Sequence, residues 1–336
     1  MRMLMLLAAL LGTAPAFAAT TVSNFVGAYT GPIGDLTVSD TKKAGKLFAN
    51  TVVTMNGRLL TLPRGTAAFD ISFVHDGTTR RFLVVRPEPA TAGAAAFLVL
   101  HGNGGTPEAQ SNLTIIGEGV VASGYWAILP EGVNSSWNDD PGNSTGVDDV
   151  GFHAKIIDIL TGYLGLDANR LYASGLSSGA FMAERLGCEL SDRIAAVALV
   201  AGTISKGLSL ACAPATPRPI LFIDGTADPI VPYAGGRVGV LSAPDAYAFW
   251  LSRHNCTASA TITTAMPDTA ADGTTTSVQT NTGCGSGGEV RLYTVSNGGH
   301  TWPGGRQYLS ESLIGKTSQD FKANTELWNF FSAHPR

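Results

Sequence analysis

Gly175-Leu176-Ser177-Ser178-Gly179 is the stretch that decides the fold. Residues 170–174 before it form a short apolar run typical of a strand, and residues 180–186 after it have the composition of a helix. Strand, sharp turn and helix in this order form a nucleophile elbow, in which glycines permit the strained turn that lifts a serine Oγ above the sheet. In a chain with 40 glycines the five residues alone also fit a surface turn. The flanking elements favour Ser177 as a nucleophile.

A serine nucleophile needs a base to take its proton and a carboxylate to orient that base. Asp228 follows Ser177 in a loop after an apolar run, and His300 follows Asp228 in a glycine-flanked loop. Asp224 is the alternative acid, but its position at the predicted strand end is more typical of a structural cap. We therefore predict a catalytic triad of Ser177, Asp228 and His300.

A second glycine-rich segment, His101-Gly102-Asn103-Gly104-Gly105, follows an apolar run that predicts a buried central strand. Acyl transfer forms an anionic tetrahedral intermediate, which two backbone N–H groups usually stabilise. We expect these oxyanion donors to be Ser178, directly after the nucleophile, and Asn103, with Gly104 as the alternative. The other interpretation is a simple turn, and the histidine of the segment is predicted to be structural.

Short apolar runs that predict strands alternate along the chain with segments of helical periodicity. The predicted strands are residues 69–74, 81–85, 95–100, 125–129, 194–200, 219–223 and 290–295, with further β-branched runs in 257–279. The predicted helices are residues 108–123, 150–165, 243–254 and 318–332. Alternation of this kind, behind a hairpin turn at Asp76-Gly77, indicates an α/β fold with a mostly parallel central sheet and helices on both faces.

The N-terminus has the features of a secretory signal peptide. Arg2 precedes an apolar run, and Ala16-Phe17-Ala18 is a small-residue cleavage site. We expect residues 1–18 to be this signal peptide, 19–66 to be an N-terminal extension packed on the surface, and 67–336 to be the catalytic domain. The protein is then secreted, to the periplasm or outside the cell, and no later stretch has the ~20 apolar residues that membrane insertion requires.

Charge and cysteine content narrow the function further. The formal charge is −4 and charged residues make up 14%, without the basic stripe that nucleic-acid binding needs. Four cysteines in an exported chain predict two disulfides, and sequence proximity favours Cys188 with Cys212 and Cys256 with Cys284 among three possible pairings. No two cysteines have metal-ligand spacing, so we expect no metal, and the chemistry requires no cofactor.

Two neighbouring aspartates and two tryptophans are the remaining candidate side chains. Asp148 or Asp149 opens a predicted helix and is expected to be its N-cap. Trp137 and Trp302 lie in glycine- and asparagine-rich loops at the predicted active face. We expect both to line the substrate cleft, with a core position as the alternative.

Taken together, these motifs resemble the secreted esterases of the polyhydroxybutyrate depolymerase family, which includes feruloyl-esterase-like and LpqC-like proteins. The matching pieces are residues 100–102, 147–152, 175–179, 225–233 and 298–304. The resemblance implies an α/β-hydrolase fold, the same triad and the same two disulfides. No lipobox cysteine follows the signal peptide, and no polymer-binding domain follows the last helix, so we expect neither a lipid anchor nor strong attack on crystalline polymer.

The predicted function is therefore a secreted serine hydrolase that cleaves carboxylic esters through an acyl-enzyme. The resemblance implies a polyester or oligomer of the polyhydroxybutyrate or hydroxyalkanoate type as substrate. A feruloyl or acetyl-xylan esterase, and an amide hydrolase such as a poly(aspartic acid) hydrolase, are the alternatives with the same triad. A polymer-binding module with an idle site is the alternative without catalysis.

Overall fold

The computed structural model describes residues 31–33, 36–142, 146–285 and 288–336, so the predicted signal peptide lies outside the described residues. The strands are β1 (Gly31–Ile33), β2 (Leu36–Lys43), β3 (Asn50–Met55), β4 (Arg58–Pro63), β5 (Thr66–His75), β6 (Thr78–Pro87), β7 (Ala96–Leu100), β8 (Trp126–Pro130), β9 (Leu171–Leu176), β10 (Ala196–Val200), β11 (Ile220–Gly225), β12 (Ile262–Ala265), β13 (Thr275–Asn281) and β14 (Val290–Ser296). The helices are α1 (Pro107–Thr114), α2 (Ile116–Ser123), α3 (Asp149–Gly162), α4 (Ser178–Glu189), α5 (Lys206–Ala211), α6 (Ala243–Arg253), α7 (Glu311–Ile314) and α8 (Ala323–Ser332).

One large sheet organises the described part of the chain. Its strand order is β1-β2-β5-β6-β8-β7-β9-β10-β11-β14-β13-β12, and β3 pairs with β4 in a separate hairpin. The block from β8 to β14 is parallel, while the strands on either side of it are antiparallel. The predicted α/β fold with a mostly parallel centre is thus confirmed. Because the strands of this block run in one direction, the loops that follow them emerge at a common edge, where ligand sites of such sheets lie.

Strand β7 shows how the core is divided between the two faces of the sheet. All five of its residues are buried, as its unbroken apolar sequence predicts. Leu98 and Leu100 belong to the core cluster that also holds α3 side chains, whereas Phe97 belongs to the cluster on the opposite face. On that opposite face Phe97 meets Phe331 of α8 edge to face, with ring centroids 4.9 Å apart.

Two predicted helices differ from the structure. The predicted helix 108–123 is divided into α1 and α2 by Ile115, which has a left-handed φ of 49°. Apolar periodicity continues through this residue, so it does not reveal the break, at which the Thr114 carbonyl accepts a hydrogen bond from Asn324 Nδ2 at 2.7 Å. The last helix begins at Ala323 rather than 318, because Asp320 instead accepts hydrogen bonds from a distant loop.

The predicted N-terminal extension contributes to the main sheet. Strand β2 pairs antiparallel with β5, and its Leu36 and Val38 are buried, so this segment does more than pack on the surface. The expected boundary at residues 66 and 67 falls at the start of β5, which continues the same sheet. Alternation of apolar and polar residues, not composition, accounts for this strand, which lies between the edge strand β1 and β5.

Both disulfides join the cysteines that sequence proximity favours. Cys188, in the last turn of α4, is bonded to Cys212 directly after α5, and Cys256 is bonded to Cys284. Within the described ranges, every helix is too short or too polar to cross a membrane.

Candidate active site

The elbow predicted at Ser177 has the backbone geometry that a nucleophile elbow requires. Ser177 lies between β9 and α4 with φ 58° and ψ −124°, a strained combination for a residue with a side chain. A Cβ at Gly175 would lie 2.2 Å from the Gly179 carbonyl, and a Cβ at Gly179 would lie 2.3 Å from the Leu100 carbonyl oxygen. The two glycines are therefore needed for close packing of backbone against backbone around the serine.

The predicted acid and base form a buried pair. His300 Nδ1 lies 2.7 Å from Asp228 Oδ2, and both side chains are almost completely buried. Asp228 Oδ1 accepts hydrogen bonds from the N–H groups of Ile230 and Val231 at 2.7 and 2.9 Å, which orient the carboxylate. With Nδ1 donating to this carboxyl group, Nε2 is the nitrogen that remains to accept a proton. Tyr308 OH donates to the His300 carbonyl at 2.9 Å and supports the histidine loop.

Ser177 and His300 line the same cavity of about 670 Å³. Its wall is partly apolar, with side chains from four segments that the sheet topology brings together: Leu113, Leu176, Ile230, Tyr308, Leu309 and Ile314. Gln110, Asn112, Arg306 and Gln307 contribute polar groups. A serine and an acid-paired histidine on one partly apolar cavity form an arrangement suited to nucleophilic acyl transfer.

The segment predicted to supply an oxyanion donor borders this cavity. Gly104 N–H already donates to the Ser135 carbonyl at 2.8 Å, which removes it as a donor to substrate. In the described part of the chain, the N–H of Asn103 has no acceptor, and Asn103 lines the cavity. Ser178 lies at the start of α4, and its hydroxyl donates to Asp139 at 2.8 Å. The geometry thus favours Asn103 over Gly104 as the partner of Ser178.

Trp137 does not line the cleft, contrary to the sequence prediction. The indole is 5% exposed, packs against the His101 ring with centroids 4.8 Å apart, and donates from Nε1 to the His101 carbonyl at 2.8 Å. His101 in turn accepts from Gly132 N–H, and burial lowers the pKa of its imidazole. The tryptophan is a core residue that supports the glycine-rich segment from below, since the loop that holds it folds inward.

Trp302 is also misassigned by the sequence. Although it follows His300 by two residues, its side chain is completely buried in the core cluster beneath α8. Its Nε1 donates to Asn324 Oδ1 at 3.0 Å, which satisfies the polar atom of the indole in the core. Glycines precede His300 and follow Trp302, so the chain turns tightly here. The turn directs His300 to the cavity and Trp302 to the core.

Asp224, the alternative acid, lies behind the cavity. It is buried, accepts a hydrogen bond from Gly202 N–H at 3.0 Å, and has no cavity-lining contact. Burial and the nearby charge of Asp228 raise its pKa well above the usual range of an aspartic acid. Glu184 of α4 has a similar environment: burial raises its pKa to about 8, and its Oε1 accepts from Trp250 Nε1 at 2.7 Å. Burial therefore favours the protonated form of both carboxyls, and neither lines the cavity.

The potential metal ligands lie elsewhere. Atoms of His75, Asp76 and Asp148 that could bind a cation lie within 4.8 Å of one another, and none of the three residues lines the cavity. Asp148 also accepts from Gly151 N–H at 2.8 Å, which confirms the predicted N-cap of α3. Asp149 instead forms a buried ion pair with Arg80 at 2.7 Å.

Several cavity residues had no signal in the sequence. Gln110 and Leu113 come from α1, and Arg306 and Tyr308 from the segment after His300. Their residue types are common and they lie outside any motif, so only the packing of α1 against that segment reveals them. The one available signal is proximity in sequence to the glycine-rich motif and to the histidine.

Comparison with known proteins places this chain in a family. Over 265 residues the chain is 33% identical to "Putative esterase NocK" of Nocardia uniformis subsp. tsuyamanensis. This match covers 72% of this chain and 76% of that protein. The chain is also 33% identical over 178 residues to feruloyl esterase B of Piromyces equi. That match covers 50% of this chain and 31% of that protein.

Solved structures show the same fold. The acetyl xylan esterase from Aspergillus awamori matches with a TM-score of 0.53 at 13% identity, over 75% of this chain and 94% of that one. No family model matches the chain. The length and identity of the match to the Nocardia protein show that the chain belongs to this family of esterases, with the α/β-hydrolase fold.

Proposed function

We propose that the protein is a serine hydrolase of carboxylic esters that works through an acyl-enzyme. The observation that carries the proposal is the buried Asp228–His300 pair, with Ser177 at a strained elbow on the same cavity. Each of the three has one role. Ser177 is the nucleophile, His300 is the general base and acid, and Asp228 holds the imidazole in the tautomer that leaves Nε2 basic.

The reaction follows from these positions. Ser177 Oγ attacks the ester carbonyl carbon while His300 Nε2 takes the hydroxyl proton, and the N–H groups of Asn103 and Ser178 stabilise the resulting oxyanion. The intermediate collapses as His300 returns the proton to the leaving alcohol. Water then attacks the acyl-enzyme, His300 again takes a proton, and collapse releases the carboxylic acid and restores Ser177.

For the substrate we propose short hydroxyalkanoate esters and amorphous polyhydroxybutyrate. The partly apolar cavity wall, with Leu176, Ile230 and Leu309, is suited to an aliphatic acyl chain. A feruloyl ester is the second candidate, because one relative is a feruloyl esterase and Tyr308 in the wall offers an aromatic surface. Cleavage of amides with the same triad is the third.

We also propose that the protein is exported after removal of residues 1–18. The two disulfides, Cys188–Cys212 and Cys256–Cys284, support an oxidising compartment. N-terminal sequencing of protein recovered from the periplasm or medium tests this, and a start at Met1 would contradict it.

The nucleophile is tested by Ser177→Ala, which we expect to lower turnover of p-nitrophenyl butyrate by about 10⁶-fold and to abolish labelling by a fluorophosphonate probe. Ser174→Ala is the matched control, because Ser174 lies on β9 three residues earlier and its hydroxyl is buried away from the cavity. Labelling that persists in Ser177→Ala would remove this serine from the mechanism.

The substrate class is tested by a panel at equal enzyme concentration: emulsified polyhydroxybutyrate, methyl ferulate, acetylated xylan, casein and poly(aspartic acid). We expect the highest kcat/KM on the polyester. Release of ferulate alone would keep the mechanism and change the substrate class. Turnover of only casein and poly(aspartic acid) would make the protein an amidase.

A further inference from the structure

Arg306 is a cation on the wall of the cavity, and its side chain is unpaired in the described part of the chain. It is exposed and, among the described residues that line the cavity, it alone has a permanently charged side chain. Within the described ranges its guanidinium forms no hydrogen bond or ion pair. Glu118, the acidic residue of the adjoining cleft, is paired with Lys322 at 3.1 Å instead. By contrast, Arg81 of β6 contacts three carboxylates.

The backbone holds Arg306 against α1, beside a second unused donor. Arg306 N–H donates to the Leu113 carbonyl at 2.9 Å, near the end of α1. Gln110, one turn earlier on the same helix, lines the cavity and is 3% exposed. Its Nε2 has no acceptor in the described part of the chain. This nitrogen is itself buried, so the exposed guanidinium of Arg306 is the donor that a ligand in the cavity can reach.

The charge of the cavity wall therefore differs in sign from that of the whole chain. The chain has a formal charge of −4, whereas no aspartate or glutamate is among the described residues that line the cavity. A guanidinium offers a planar pair of N–H donors that matches a carboxylate, and such charged hydrogen bonds are stronger than neutral ones. An uncharged ester has no anionic group that could pair with this guanidinium.

We propose that the cavity selects esters that also carry a free carboxylate, which Arg306 binds. The inference rests on the proposed ester hydrolysis at Ser177 and names its substrate class. The carboxylate has two possible sources. It is on the alcohol side when an oligomer of hydroxy acids is cleaved near its carboxyl end, and on the acyl side when a half-ester of a dicarboxylic acid is cleaved.

The experiment compares charged and neutral esters of nearly equal shape. For the alcohol side the pair is 4-acetoxybenzoate and its methyl ester, and for the acyl side it is monoethyl and diethyl adipate. In each pair the ratio of kcat/KM for the charged over the neutral ester is measured in the parent protein, Arg306→Gln, Arg306→Lys and Arg64→Gln. Arg64 is an exposed arginine outside the cavity lining, so its variant controls for the change in net charge.

We expect Arg306→Gln to lower this ratio by about 10-fold or more in one of the two pairs, from the loss of a charged hydrogen bond. Arg306→Lys should retain part of the preference, and Arg64→Gln all of it. High salt should lower the ratio in the parent protein, because it screens the guanidinium. The ratio cancels any general loss of active enzyme.

Ratios that agree within about twofold among all four proteins, in both pairs, would overturn the carboxylate site while the neutral esters are still cleaved. If the parent protein cleaves none of the four esters and the fluorophosphonate probe leaves Ser177 unlabelled, the proposed function itself fails. The two failures are thus distinguishable.

Discussion

Two carboxyl groups near the end of β11 lie four positions apart and have opposite surroundings. Asp228 faces His300 and accepts two backbone N–H bonds, whereas Asp224 faces the interior and accepts one, from Gly202. Behind Asp224, Glu184 is likewise buried, with the indole of Trp250 as its one donor. The comparison teaches that burial alone does not make an acid catalytic. The donors around it determine whether it is ionised, and a basic partner determines whether the charge is used.

Helix α4 runs from the cavity into the core, so it has a cavity side and a core side. Ser177, directly before the first turn of this helix, lines the cavity. Its later turns carry Glu184 and Cys188 into the core. Changes on the cavity side should therefore alter turnover, and changes on the core side should alter stability.

The largest expected effect separates the two aspartates. Asp228→Asn keeps the shape but removes the charge that holds the histidine tautomer, and we expect kcat to fall by about 10⁴-fold. Asp224→Asn, the matched control, makes the same change at a carboxyl that does not line the cavity and should change kcat by less than about 10-fold. Steady-state kinetics on p-nitrophenyl butyrate measures kcat for the two variants and the parent protein. Equal losses in the two variants would mean that the comparison between the carboxylates is wrong.

The disulfide on the core side should affect stability and leave chemistry intact. The double change Cys188→Ser with Cys212→Ser opens a loop with a sequence separation of 24, and we expect it to lower the free energy of unfolding by about 3 kcal/mol. Denaturant melts under non-reducing conditions measure this. Turnover of the folded enzyme well below its midpoint should stay close to that of the parent, and a 100-fold loss of kcat there would link α4 to the chemistry.

The smallest effect is a pH dependence of stability from Glu184. Burial raises its pKa from 4.5 to about 8, with the Trp250 hydrogen bond opposing the rise and the Asp224 charge adding to it. The folded state then keeps a proton that the unfolded chain loses, so this contribution is complete below pH 4.5 and is lost as pH rises to 8.

Glu184→Gln removes that titration and keeps a hydrogen-bond acceptor for the indole. We expect the unfolding free energy of the variant, relative to the parent, to increase by about 2 kcal/mol between pH 5 and pH 8. Urea melts at both pH values give the difference. A constant difference across this range would show that Glu184 is ionised in the folded protein.

Local sequence patterns were sufficient for the features that depend on neighbouring residues. The five apolar residues of β7 predict a strand buried on both faces, and strand, glycine turn and helix around Ser177 predict the elbow. The order of Ser177, Asp228 and His300 predicts three groups at one sheet edge, and the structure brings His300 next to Asp228 and into the cavity with Ser177. Backbone preference and side-chain periodicity act over a few residues, so a single sequence contains them.

Tertiary packing decided where each remaining side chain points. Trp137 and Trp302 have loop sequences typical of exposed positions, yet both indoles are buried because the chain turns back on itself there. The break at Ile115 depends on Asn324, some two hundred residues later, and the cavity wall at Gln110 and Arg306 exists only because α1 meets the segment after His300. By itself, then, the sequence determined the class of fold and the order of the reactive groups. Their surroundings, and with them the charge and shape offered to a substrate, were decided by contacts between residues far apart in the chain, since burial and charge depend on every neighbour in space.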